Sequence, residues 1–135
     1  MAYKIIDIEG VGESYGEKLV AAGVATVDAL LEKCAAPAGR KALAAETGIS
    51  EKLILKWTNH ADLIRIHGVG PQFAELLEAA GVDTVKELKH RVAANLKAKM
   101  EEVNAEKNLV NRVPSETELQ KMIDEAKELP AVMAY

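Results

Sequence analysis

Cysteine occurs once in the 135 residues, as Cys34, so no disulfide can close within the chain and a reducing compartment is the simple expectation. No apolar run approaches the ~18 residues that cross a bilayer, and the opening MAYKIIDIEG lacks a charged-then-apolar leader. A soluble, cytoplasmic protein without a membrane partner is therefore expected. Excess basic charge is also missing. The formal net charge is −4, with the acids spread over both halves, so composition supplies no long-range attraction to nucleic acid. His60, His67 and His90 have no zinc-type spacing and no cysteine pair beside them, so no metal site is expected. No nucleophile–base constellation emerges either, and the expectation is a protein that is not an enzyme.

What the chain does have is a phrase written twice. IEGVGESYGEKLVAAGV begins at Ile8, and IHGVGPQFAELLEAAGV begins at Ile66. Aligning Ile8–Leu31 with Ile66–Lys89 needs no gap and matches about half the positions, which marks a duplicated unit. The matches include Gly10 with Gly68, Gly12 with Gly70, Gly23 with Gly81 and Thr26 with Thr84. Two repeats sharing one core are expected, the first over 1–65 and the second over 66–135.

Each copy reads as a Gly-Val-Gly turn, a helix, a closing glycine, a valine that folds back, and a threonine that caps the next helix. Thr84–Glu87 and Ser115–Glu118 have capping-box spacing, and Gly48-Ile49-Ser50 repeats the stop, staple and start. Helices are expected near 13–22, 26–34, 39–47, 50–64, 71–80, 84–91, 93–108 and 115–128. Leu53, Ile54, Trp57, Ala61 and Ile64 share one stripe of the fourth helix, which places Trp57 in the core rather than under a stacked base. The ends, AYKIIDI and PAVMAY, lack helical signals and are expected to be extended, pairing with each other as a small ribbon.

The string Ile-x-Gly-Val-Gly, a small residue at Gly16 or Ala74, then Leu19 or Leu77 and a closing glycine, resembles the helix-hairpin-helix motif. The whole chain, down to GRKALAAETGISEKLILKW and the closing LP…Y, is similar to a bacterial domain-of-unknown-function family of tandem helix-hairpin-helix proteins. The resemblance implies an all-α fold of tandem helix-hairpin-helix (SAM-like) repeats in one compact domain with short extended termini. It also implies non-catalytic, sequence-independent binding of duplex DNA. The amides of Gly10, Val11 and Gly12, and of Gly68, Val69 and Gly70, would then hold phosphates across the minor groove. Ser14, Lys18 and Gln72 would stand nearby as side-chain donors. Some members of the motif carry a monovalent cation at the hairpin carbonyls; no other cofactor is implied.

The physical basis for such a contact is a bare backbone corner feeding a helix amino end, where amides lack partners and the dipole is positive. The same corners also serve simply to join packed helices. Glu13, Glu17 and Glu75 lie just past the turns, where they complement the helix dipole but repel phosphate. The most basic window runs from Lys86 to Lys99, with Lys86, Lys89, His90, Arg91, Lys97 and Lys99 against a lone Glu87. Lys86, Lys89 and Arg91, with Arg65 from the looser group Arg40, Lys41, Lys52, Lys56 and Arg65, are the auxiliary basic candidates. A solvated helix face explains such runs equally well. Cys34, beside Lys33, reads as a small half-buried residue. The alternative to DNA binding is a helical module for protein–protein contact or self-association.

Overall fold

A computed structural model describes residues 3–135. It contains eight α-helices: α1 (Gly12–Ala21), α2 (Val27–Cys34), α3 (Pro37–Thr47), α4 (Glu51–Leu63), α5 (Pro71–Ala79), α6 (Val85–Leu88), α7 (Ala93–Lys107) and α8 (Glu116–Glu128). A single 3-10 turn over Ile5–Asp7 precedes them, and no strand forms among the described residues. No helix among them is long and apolar enough to cross a membrane. The chain divides into two compact units. Unit one comprises the residues up to Asp62 together with Val132–Tyr135, and unit two is Leu63–Ala131.

Local chemistry sets the helix ends. Thr26 Oγ1 accepts from the Ala29 amide at 3.1 Å, and Ser50 Oγ accepts from the Leu53 amide at 3.1 Å. Each closes one orphan donor of a first turn. After α1, the Gly23 amide donates to Val20 O (3.0 Å) and the Val24 amide to Leu19 O (2.8 Å); after α5, Gly81 and Val82 repeat this at 3.0 and 2.8 Å. These are paired Schellman ends, and they fold each valine back onto the preceding turn.

The two expected capping boxes part ways. At α8 the box is complete: Ser115 Oγ accepts from the Glu118 amide, and Glu118 Oε1 accepts from the Ser115 amide, both at 3.1 Å. At α6 only half forms. Thr84 Oγ1 accepts from the Glu87 amide at 3.3 Å, but the Glu87 carboxylate faces Arg91, one turn on, at 3.5 Å. The turn that follows α6, closed by the His90 and Arg91 amides on Glu87 O and Leu88 O, brings that cation beside the carboxylate, which takes it instead of reaching back.

Glu118 also receives a two-pronged bond from Arg112, at 3.0 and 3.1 Å. That bond first, then the Ser115 amide and hydroxyl, hold its carboxyl down to about 2. Because the folded value lies below the unfolded one, this contribution to stability is complete above the unfolded carboxylate range and fades as pH falls toward about 2. Carboxyl NMR should place the Glu118 midpoint there, and Arg112→Ala should move it up; an ordinary glutamate midpoint in the native protein would contradict the bond.

Among the described residues the two ends do not pair with each other; Ala2 of the expected ribbon lies outside them. The Ile5 amide donates to Ala25 O and the Val27 amide to Tyr3 O, both at 3.0 Å, so the opening segment lies along the α1–α2 loop. The closing segment instead meets the α2–α3 junction, where the Ala134 amide donates to Ala35 O at 2.8 Å. Arg40, expected among loose surface cations, is what holds it there. Arg40 is 4% exposed, and its guanidinium donates to Cys34 O (2.9 Å), Ala35 O (3.0 Å) and Ala134 O (2.7 Å). It also lies 5.7 Å from the Tyr135 ring centre, and Tyr135 Oη donates to Asn59 Oδ1 at 2.9 Å. Three carbonyl acceptors compensate for taking this cation out of water.

Trp57 is buried in unit one, as its stripe predicts, with the Tyr15 ring tilted against it at 5.2 Å between centres. Cys34 is fully buried rather than half-buried, and burial pushes its thiol up against the opposing pull of Lys33 and Arg40. Unit two closes around Leu63, Ile66, Leu76, Leu77, Leu96, Met100, Leu119 and Ile123.

The duplication reaches beyond the glycine phrase. Ser50 caps α4 and Ser115 caps α8, and from these serines the two helices run in register. Glu51 matches Glu116, Lys56 matches Lys121, Ala61 matches Ala126, and buried Ile54 matches buried Leu119. Trp57 therefore corresponds to Met122. A Cβ added to Gly10 would lie 3.7 Å from Trp57 Nε1, and one added to Gly68 would lie 3.4 Å from Met122 Cε. In each unit the fourth helix seats one large side chain against the first glycine of the turn.

Candidate functional site

The candidate contact residues gather at two corners, one in each unit. In unit one, Gly10 (φ +91°) and Gly12 (φ +66°) carry the chain into α1 through left-handed backbone that favours glycine. In unit two only Gly68 (φ +89°) does so; Gly70 is extended (φ −104°) and caps α5, with Pro71 as its first residue. Identical glycine spacing thus gives two different corners. Pro71, where unit one has Glu13, accounts for this: its ring crowds the preceding residue out of helical backbone into the extended form, and it removes one donor.

Val11 and Val69 point into the core, at 1% and 3% exposure, and their amides already donate to Ile8 O (3.2 Å) and Ile66 O (3.1 Å). The donors left for an anion are the first-turn amides of α1 and α5, which no side chain caps. Ser14 and Lys18 are exposed on α1, and Gln72 is exposed on α5. Around Gly12 a Cβ would meet nothing within 4 Å, so the first corner is open.

The second corner already holds an anion. Both oxygens of the Glu125 carboxylate, from α8, lie 3.1 Å from the His67 amide nitrogen. Glu125 was not among the residues the sequence singled out; the α4–α8 correspondence was the signal that could have found it. At the start of this turn the protein's own carboxylate accepts from a backbone amide.

The auxiliary cations are largely occupied with the fold. Arg65 donates to Pro130 O at 2.7 Å, and Arg91 donates to Gly81 O at 2.7 Å besides facing Glu87. Lys97 pairs with Glu101 (3.3 Å) and Lys99 with Glu102 (3.8 Å), while Lys86 is exposed and Lys89 half-exposed. Among the described residues, no three His, Cys, Asp or Glu side chains gather where a metal ion could be held.

A different feature of unit one escaped the sequence altogether. The 3-10 turn lies along α1, with Ile6 against Gly16 at 3.6 Å from an ideal Cβ there, and between them runs a groove of about 680 Å³. Its walls are Ile5, Ile6, Gly16, Val20, Ala21 and Ala25, rimmed by Lys4, Glu13 and Glu17. Ile6 is 45% exposed and Val20 53%. By the repeat alignment, Val20 and Ala25 correspond to Glu78 and Asp83 in unit two, and Ile6 corresponds to Ile64, which packs against that unit's core. There α7 lies along α5, and Leu76, where unit one has exposed Lys18, is fully buried. Where unit one opens its apolar groove, unit two carries Glu78 and Asp83 and is packed by α7.

The profile of the family described as "Domain of unknown function (DUF4332)" matches residues 9–129. No curated protein matches the chain. No solved structure matches it either.

Proposed function

Because the chain belongs to the DUF4332 family over residues 9–129, a membership that names no activity, we propose its function from geometry alone: a non-catalytic helical module that binds protein through the groove of unit one. The first two helices of each unit are read as a helix-hairpin-helix, here serving as scaffold. The observation that carries this reading is the apolar groove itself, with Ile6 and Val20 left in water where unit two places a core contact and a glutamate. Isolated exposed apolar residues need no explanation, but a concave strip of them with a charged rim is what an amphipathic helix or a protruding apolar side chain fills. A photo-crosslinking amino acid in place of Val20 should give discrete protein adducts inside cells, lost when Ile6 is also changed to Glu. Absence of any adduct would overturn the reading.

The open first corner favours a second reading, sequence-independent contact with a nucleic-acid backbone. Uncapped amides at the start of α1, with free space over Gly12, fit one phosphate oxygen. The contact would touch no base and read no sequence. With Glu125 seated at the other corner, few phosphates are engaged, so the log–log salt slope of duplex binding should be shallow, roughly 1–2 at ~0.9 per phosphate. Anisotropy of labelled duplex at low salt tests this, and no binding at 50 µM protein, roughly the non-specific range, sinks it.

A further inference from the structure

We propose that the groove of unit one receives a second copy of this chain, through the basic start of α7 in that copy's unit two. The inference rests on the protein-binding reading above and names its partner.

The described residues leave few large apolar side chains in water, and Val92 is the most exposed aliphatic among them, at 61%. It stands at the amino end of α7, beside a small hollow lined by His90, Arg91, Asn95 and Lys99. Lys86 and Lys89 lie just before it, and from Lys86 to Lys99 the only acid is Glu87. The surface is a projecting apolar side chain among basic residues, of which Arg91 and Lys99 face Glu87 and Glu102 while Lys86 and Lys89 leave the patch net positive. The groove is its counterpart, an apolar hollow whose rim carries Glu13 and Glu17 on α1 against a single Lys4, with Glu9 close by in sequence. The charges are opposite in sign, and such complementarity orients association even where it adds little affinity.

Since the two surfaces are different patches of one chain, the contact is heterologous. Each copy keeps one free groove and one free knob, so association proceeds head to tail, into a ring if the rotation closes and into a filament otherwise. A contact in which one aliphatic side chain enters the groove belongs to the small, transient class of interfaces, below about 1,200 Å². Association is then expected at high micromolar concentration, about 100 µM, and should weaken as salt rises.

Two substitutions test this with little risk to folding. Val20→Glu installs in the groove the residue that unit two carries at the matching position, Glu78, on an exposed helix face. Val92→Asp removes the knob and supplies a good capping residue for α7. Light scattering after size exclusion should show wild-type mass rising with concentration and both variants monomeric. Mixing the variants should restore association but stop it at the heterodimer, because one intact groove meets one intact knob. A wild type that stays monomeric at 500 µM overturns the proposal. So does a Val92→Asp protein that associates like wild type, or a mixture that yields no heterodimer. An adduct at position 20 with a different protein, and none with this chain, would defeat the self-association while leaving the protein-binding reading in place.

Discussion

Replacing Gly39 with alanine should destabilise unit one by about 3 kcal/mol, since a backbone has to move to admit the methyl. Gly39 lies in the first turn of α3, and a Cβ there would overlap the carbonyl of Lys33, in the last turn of α2. That carbonyl cannot swing aside as a long side chain would, because α2 and α3 are packed on each other. Arg40, the next residue, ties the neighbouring Cys34 and Ala35 carbonyls to the same junction. Parting the helices therefore strains the clasp on Ala134 as well. Gly48→Ala is the control. Gly48 has φ +74° but nothing within 4 Å of a Cβ, so only conformational strain of about 1–2 kcal/mol is expected there. Urea unfolding followed by circular dichroism should rank the two clearly. Equal midpoints would show that the α2–α3 junction yields to a methyl group.

Trp57→Ala should cost about 4 kcal/mol, in the range for deleting a buried aromatic. Its ring is 1% exposed, supports Tyr15 at 5.2 Å and sits beneath Gly10. Three things go at once: the buried area, the tilted aromatic pair, and the floor of the first corner. Met122→Ala, at the matching but half-buried position in unit two, should cost less, about 2 kcal/mol. The chain has one tryptophan, so unfolding has to be followed by circular dichroism rather than fluorescence. Amide shifts of Gly10 and Tyr15 should move in Trp57→Ala while those around Gly68 stay. If Gly10 and Tyr15 are unmoved, the ring does not support the corner.

Where the sequence was explicit, it told the truth about the helices. Thr26, Ser50 and Ser115 are caps whose chemistry is local, and the starts of α2, α4 and α8 fall within a residue of expectation. The closing glycines of α1 and α5 behave the same way, because a Schellman end is decided within six residues. With one local exception, the misjudged features were those decided at a distance. Pro37 opens α3 two residues before the expected start, a signal that was readable. The buried clasp of Arg40 was not, since its partner Ala134 lies far along the chain. Glu125 and the groove were hidden for the same reason, as each depends on which helix covers which corner. The repeat announced both corners but could not say that Pro71 and Glu125 would make the second unlike the first.

The clasp at Arg40 has a mechanical consequence. Unit two is an excursion of the chain that leaves unit one in the last turn of α4 and returns at Val132, so both ends of the described chain are fastened to the same body. Tension applied between Tyr3 and Tyr135 is borne first by the Tyr3–Val27 and Ala134–Ala35 hydrogen bonds and by the guanidinium bond to Ala134. Until those give way, no load enters residues 63–131. The second copy of the repeat is shielded from stretching by the first.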